Sequence, residues 1–196
     1  RLRHLAGGLA GYTVERTTRT PGALGPNATV GDFVVTTADG DRIAVEAKNQ
    51  AQLNLTGRDG ILAELDRVLA NREAAVAICV SGRDAFPGEV GTFGVYGDRV
   101  LVVDDGDGTM TAVGLRWALA ALARRRNDPG AAVDLTALGE HLDRIRMLAE
   151  RFKTTRRSLT DIGKSVESVR DTLAAMRTDL LDLVDEVQRT VSTPSG

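Results

Sequence analysis

GDFVVTTADGDRIAVEAKN, residues 31–49, reads as a β-hairpin whose register decides which side chains meet. Two runs with strand character, 32–37 and 41–48, flank Ala38-Asp39-Gly40, and alternation along a strand sends neighbouring side chains to opposite faces. A two-residue loop at Asp39-Gly40 would set Phe33 opposite Glu46 and mix apolar with charged groups on each face. A three-residue loop, a type I turn closed by Gly40 in the left-handed bulge position, pairs 37 with 41 and 32 with 46. That register puts Phe33, Val35, Ile43, Val45 and Ala47 on one face, so the core pattern selects it. It also gathers Asp32, Glu46 and Lys48 on the other, with cross-strand Cβ atoms roughly 4.5–5.5 Å apart.

Lys48, Lys153 and Lys164 are the only lysines among 25 basic residues. A lysine differs from an arginine in being a compact point charge whose pKa moves readily on desolvation. Adjacent carboxylates repel on a half-buried sheet unless positive charge sits beside them. Asp32 and Glu46 therefore suggest a divalent cation, Mg2+ (or Mn2+), which takes oxygen ligands from one or two carboxylates and a substrate phosphate. Lys48 would then position or deprotonate the attacking water, or neutralise charge that builds up on phosphorus in the transition state. Taken alone, Glu46-Ala47-Lys48 reads more simply as a solvent-facing ion pair of negligible worth; Asp32 in register is what shifts the balance to a site.

On the N-terminal side, residues 1–9 read as the end of a helix, "YTVERT" as a strand, and "TRTPGALGPNATVG" as a loop punctuated by Gly and Pro. On the C-terminal side, residues 57–72 place Ile61, Leu62, Leu65, Val68 and Leu69 on one helical face. "AAVAICVSG" is a continuous apolar run suited to a strand buried on both faces, and "FGVYGDRVLVVDD" supplies two strands around a Gly-Asp turn. A helix over 112–126 carries Leu115, Trp117, Leu119 and Leu122 and ends at "RRRNDPG". The order predicts an α/β fold, a mixed central β-sheet flanked by helices.

Beyond this point the pattern is helical only. Apolar residues recur every seven positions at 138, 145, 152, 159, 166, 173, 180 and 187, with 148, 162, 169, 176 and 183 three places after an a position. This predicts a long C-terminal coiled-coil helix of roughly 80 Å, not packed along its own domain, that joins copies of the chain as a homodimer or higher homo-oligomer. The alternative is a long helix folded back on the globular part. The expected division is a domain over 1–130, a coiled-coil region over 131–192 and a disordered tail over 193–196.

A formal net charge of −2 excludes a generally basic nucleic-acid coat and leaves room for a focal positive cleft. With Cys79 as the one cysteine and His4 and His141 as the only histidines, neither an intramolecular disulfide nor a zinc set is expected. The chain has no apolar run near 18 residues and no secretory signal pattern, so a cytoplasmic protein with no membrane partner is expected, as a fragment whose natural start lies upstream. Its Ala, Gly, Arg and Val usage suggests a GC-rich bacterial genome.

"GD" opening one strand and "VEAK" closing the next, with a helix and strand before and a helix and apolar strand after, resemble the PD-(D/E)xK nuclease superfamily of restriction-endonuclease-like fold. The run 71–105 followed by a long helix is similar to a bacterial branch joined to coiled coils, loosely related to RmuC-type recombination proteins. The resemblance covers roughly residues 1–127. It implies Asp32 and Glu46 as metal ligands, the Ala47 carbonyl as a further ligand, and Lys48 as the catalytic lysine. Gly31 departs from the proline common in the superfamily before the aspartate, and no acidic residue stands in the first helix. Gln50 and Gln52 follow closely enough to touch a phosphate or the attacking water, and Gln50 joins the candidate catalytic set. Glu15 reads more simply as solvent-facing, and Arg124, Arg125 and Arg126 as a charged helix end. The expected function is a magnesium-dependent DNA endonuclease of the repair or defence type. The rival is a catalytically inactive nuclease-fold module that binds DNA or protein on a coiled-coil scaffold. A pure scaffold would leave the hairpin register unexplained.

Overall fold

The structure, a computed structural model, describes residues 11–104, 106–127 and 135–192, with the side chains of the last helix described over 139–185. The helix expected over 1–9, His4, Leu138, Val187 and the tail over 193–196 lie outside the described residues or side chains. Among the described residues six strands and three helices follow in the order β1 (Thr13–Arg16), β2 (Phe33–Thr36), β3 (Arg42–Lys48), α1 (Ile61–Arg72), β4 (Val76–Ser81), β5 (Phe93–Tyr96), β6 (Arg99–Val103), α2 (Thr109–Asn127) and α3 (Leu135–Ser192). The strands form one mixed sheet in the order β1-β2-β3-β4-β6-β5. β1, β2 and β3 are antiparallel, β3, β4 and β6 are parallel, and β5 returns antiparallel to β6.

The hairpin takes the three-residue loop. Phe33 pairs with Val45 and Val35 with Ile43, the Thr37 N–H donates to the Asp41 carbonyl, and the Gly40 N–H donates to the Thr37 carbonyl. Gly40 has φ +87°, the left-handed conformation that a side chain resists and glycine takes freely. This pairing keeps Val35, Ile43 and Val45 dry and ends at Phe33 and Val45, one step short of the expected Asp32–Glu46 pair, because the Asp32 N–H turns to the Val45 carbonyl.

Both sheet faces are covered, which is why β4 reads as a continuous apolar run: Val76, Ala77, Ile78 and Cys79 are all fully buried. One face packs Ala44, Ala77, Cys79 and Leu101 against Ile61, Leu65 and Val68 of α1. The other packs Val35, Ile43, Val45, Ile78 and Val100 beneath α2, where Trp117 meets Phe93 edge to face. Ala149 is buried against this second core and Leu142 and Ile145 pack on it. Arg146 donates to the Phe93 carbonyl, and Glu150 accepts from the Thr92 N–H and hydroxyl.

The chain divides into two compact units, Arg1–Glu150 and Arg151–Gly196. The expectation that the helix from 135 is not packed on its own domain fails over 142–150, and the division falls after residue 150 instead of at 130. The physical reason is that position 145 serves the sheet core while continuing the heptad pattern. The second unit is a single helix whose apolar side chains Leu159, Ile162, Val166, Val169 and Leu173 are all more than half exposed.

The loop between β1 and β2 is held by the C-terminal end of α1. Asn71 Nδ2 donates to the Ala28 and Val30 carbonyls, and the Arg72 guanidinium donates to the carbonyls of Thr17, Thr20 and Thr29. Arg72 is only 3% exposed; of its three acceptors the Thr17 carbonyl is buried, while Thr20 and Thr29 are exposed residues. Arg72→Ala is expected to lower stability by about 1–3 kcal/mol, the cost of leaving the buried Thr17 carbonyl unpaired. Urea unfolding of the full chain measures this, and an unchanged midpoint would contradict the clamp.

Candidate metal-phosphate site

The clamped loop ends at Gly31 and Asp32, which deliver a carboxylate to the edge where β3 finishes. The β2–β3 pairing ends at Phe33 and Val45; just before it the Asp32 N–H donates to that same Val45 carbonyl, off the regular ladder, while the Asp32 carbonyl accepts from the Thr17 N–H, and the Ala47 N–H donates to Asp32 Oδ2 at 2.9 Å. In an extended strand the N–H and C=O of one residue point to the same edge. The Ala47 carbonyl therefore lies on the side of Asp32. Lys48 is opposite Ser81 of β4 and Glu46 opposite Cys79, so the cluster stands at the C-terminal ends of parallel strands. That is the end at which open α/β sheets bind ligands.

Glu46 is buried at 8% exposure and is satisfied on both oxygens. Oε2 accepts the Gly31 N–H at 2.9 Å, and Oε1 lies 3.0 Å from Lys48 Nζ. This contact accounts for the departure at position 31. Gly31 has φ +91°, and a Cβ there would fall 2.8 Å from Arg72 Cγ. Proline offers neither that φ nor the N–H that Glu46 uses.

Lys48 Nζ is also 2.5 Å from Glu64 Oε1, and Glu64 was not among the residues expected here. It lies in the first turn of α1, on the inward stripe Ile61, Glu64, Leu65, Val68 and Arg72. An acidic residue at i+3 of an apolar stripe, above a strand end that carries a lysine, was the available signal. Arg72 on the same stripe was missed in the same way. Gln50 and Gln52 are exposed in the loop after β3, beyond Lys48. Glu15 is exposed on β1 opposite Val34. Arg125 and Arg126 are taken up at the far end of the sheet, Arg125 by Asp98 and Arg126 by Asp39 and Asp41.

Burial pushes the Glu46 carboxyl above the ordinary carboxylate value, and the Asp32 charge adds to that rise, while Lys48 and the Gly31 N–H pull it back in part. Burial alone would lower Lys48, yet its bonds to Glu64 and Glu46 and their charges outweigh it and leave it raised. Lys48 is thus a cation at neutral pH, with stabilisation present below the ordinary lysine value and lost as pH rises through the raised one. Cys79, beneath Glu46 in register, has its thiol pushed up by burial, so it is a poor nucleophile.

Glu46 has the opposite sign to the usual folded carboxylate. Its proton is held more tightly in the fold than in the unfolded chain, so ionisation costs folding free energy, and stability falls as pH rises between the ordinary and the raised value. Glu46→Gln, which keeps an acceptor for the Gly31 N–H, is therefore expected to raise Tm by a few degrees in chelator at neutral pH. A fall in Tm would show that the Lys48 pair outweighs burial.

Among the described residues no three acidic, histidine or cysteine side chains converge as a ready metal cage. What the corner offers is Asp32, Glu46 and the adjacent Ala47 carbonyl, with Glu64 engaged by Lys48. Three carboxylates against one ammonium leave an excess of negative charge on a partly buried surface, and all the donors are oxygen. This fits a hard divalent cation that keeps several waters and takes one or two carboxylates. Comparison with protein-family models, curated proteins and solved structures returned no match.

Proposed function

We propose that the corner formed by Asp32, Glu46, Ala47 and Lys48 is the active site of a Mg2+- or Mn2+-dependent deoxyribonuclease of the PD-(D/E)xK kind, with the sheet as a restriction-endonuclease-like core. The observation that carries this reading is the set of contacts at the end of β3, where Asp32 Oδ2 accepts the Ala47 N–H, Glu46 accepts the Gly31 N–H, and Lys48 pairs with Glu46, so that two carboxylates and the lone lysine of the sheet domain meet at one strand end. Asp32, Glu46 and the Ala47 carbonyl would hold the cation, which when bound supplies Lewis-acid polarisation of a phosphate oxygen and lowers the pKa of water.

The chain's own groups do the rest. Lys48, held cationic by Glu46 and Glu64, faces a scissile phosphate as a fixed positive charge, and such a charge stabilises the transition state more than the ground state. Of its two sequence-based roles, the raised pKa favours charge neutralisation over proton removal. Gln50 extends beyond Lys48 on an exposed loop, in reach of a phosphate oxygen or the attacking water. Because protons compete with the cation for Glu46, cleavage should weaken as pH falls through that residue's raised pKa.

A second reading has its own support: both Glu46 oxygens and the Lys48 ammonium already have partners within the protein, as expected of a catalytically inactive module that binds DNA or protein. Incubating the full chain with linear, circular and branched DNA, with and without Mg2+ or Mn2+, decides between them. Metal-dependent products support the nuclease; intact DNA under every condition supports the inactive module. The second unit would act as a coiled coil that assembles the cores into a homodimer or higher homo-oligomer. The setting we infer is cytoplasmic, bacterial, and concerned with DNA repair or defence. No helix among the described residues is long and apolar enough to cross a membrane.

A further inference from the structure

Residues Arg16, Thr18, Arg19 and Thr20 line an open cleft of about 330 Å³ at the end of β1, at the small end of ligand-sized clefts. β1 is the edge strand, and Arg16 pairs with Phe33, so the cleft lies at the same end of the sheet as Asp32. The connection is direct: the Thr17 N–H donates to the Asp32 carbonyl, the Thr18 hydroxyl donates to the same carbonyl, and Arg16 Nε donates to the Thr18 hydroxyl.

Two features bear on what this cleft takes. First, its cations are not neutralised: among the described residues Arg16 and Arg19 pair with no carboxylate, like Arg67 and Arg116 on the exposed helix faces, whereas Arg42, Arg99, Arg125, Arg126 and Arg146 each have one; what sets Arg16 and Arg19 apart is that they stand together in one cleft. The acidic turns at the opposite end of the sheet already occupy Arg125 and Arg126. Second, the backbone of the cleft is fixed from below, because Arg72 takes the Thr17 and Thr20 carbonyls and the Thr17 hydroxyl donates to the Gly31 carbonyl. The Thr17 and Thr18 hydroxyls are spent on backbone carbonyls, which leaves the terminal N–H groups of Arg16, the Arg19 guanidinium and the Thr20 hydroxyl as donors for an anion with several acceptor oxygens.

We propose that this cleft is a phosphate subsite that grips the DNA backbone beside the cleaving corner. It rests on the nuclease reading for the identity of its ligand. The loop 17–31 then serves both contacts, since it leads into Asp32 and carries the phosphate grip at its start, so strand position and carboxylate position are set by one clamped segment. Phosphate contacts of this kind fix register on the nucleic acid and carry no sequence information.

The test is binding of a labelled DNA duplex to the full chain in chelator, where cleavage is silent, across a salt series. Arg16→Ala/Arg19→Ala is compared with Arg67→Ala/Arg116→Ala, which removes equal charge from exposed helix positions. Each phosphate contact contributes about 0.9 to the log–log salt slope. The cleft variant is therefore expected to lose about 1.8 of slope and at least about tenfold in affinity near 0.1 M salt, and the control to retain both within error. Equal losses in the two variants, no change in the cleft variant, or a wild-type chain whose DNA binding is absent or independent of salt would each overturn the subsite. Displacement of the cleft ligand by an acidic peptide at equal charge, with DNA failing to compete, would also overturn it and assign the cleft to protein. Metal-dependent cleavage is scored separately: slope loss without any wild-type cleavage leaves the subsite standing and removes the nuclease, and cleavage with an unchanged slope does the reverse.

Discussion

Lys48→Ala is expected to reduce Mg2+-dependent DNA cleavage by about 10²–10³-fold while the chain stays folded. The magnitude is that of removing one preorganised charge or donor from a phosphoryl or acyl transition state. The fold should survive because the partners of Lys48 have other recourse. Glu46 keeps the Gly31 N–H, and Glu64, on a helix turn with part of its side chain exposed, rotates to water. Lys48→Arg separates charge from shape. Arginine keeps the cation but presents a planar fork in place of a point charge, so partial rescue identifies electrostatics as the dominant role, and no rescue identifies the placement of a compact ammonium. Single-turnover cleavage, read beside thermal melts of the same samples, measures both. A Lys48→Ala variant that cuts at the wild-type rate would return the lysine to an ordinary surface pair.

The ion pairs of Lys48 also bear on how such a site would work. Glu46 and Glu64 hold the ammonium between a strand and a helix, and a cation shared by Asp32 and Glu46 would draw on the same Glu46 charge. A bound cation would therefore weaken one of the two holds on Lys48 and leave Glu64 as its anchor. Glu64 is then a positioning residue on α1, the helix whose other end clamps the loop that carries Asp32. One rigid helix sets the lysine through its first turn and the aspartate through its last.

That helix also shows where legibility in the sequence stops. The hairpin register was readable because Phe33, Val35, Ile43 and Val45 obey period two, and a shift of one residue would wet them all. Glu46 and Lys48 share a face by the same alternation, whereas the approach of Asp32 depends on bonds outside the β2–β3 ladder. Glu64 and Arg72 were not read, because each is a polar residue on an apolar stripe and its partner lies in a segment distant in sequence. Loop 17–31 has no periodicity to read; its shape depends on Asn71 and Arg72 reaching its carbonyls, a tertiary fact. The domain edge was misplaced for another reason. A heptad and a sheet-packing face both ask for apolar residues at helical spacing, so Ile145 satisfies either, and only the buried Ala149 with the Thr92–Glu150 contacts shows which is used.

Beyond residue 150 the same spacing has no sheet to serve, and the second large effect follows. Ile162→Asp/Val169→Asp is expected to lower self-association of the full chain by more than a thousandfold and to convert the assembly to single chains at micromolar concentration. Leu159, Ile162, Val166, Val169, Leu173, Met176, Leu180 and Leu183 all expose more than half of their surface on the isolated helix. Covering them is worth roughly 1 kcal/mol or more each at partial burial, and on two chains that exceeds the cost of association, of order 4–15 kcal/mol. Two aspartates one heptad apart, on either side of the Val166 layer, would carry unpaired charge into the seam, at several kcal/mol each. Point substitutions are the sound test, because a cut after Asn127 would strip Leu142, Ile145 and Ala149 from the sheet core and confuse misfolding with loss of assembly. Light scattering reads subunit number, and DNA cleavage by the same variant reads whether paired cores are needed for double-strand breaks or only for their placement. Equal subunit numbers in wild type and variant would mean that the exposed stripe serves a different partner.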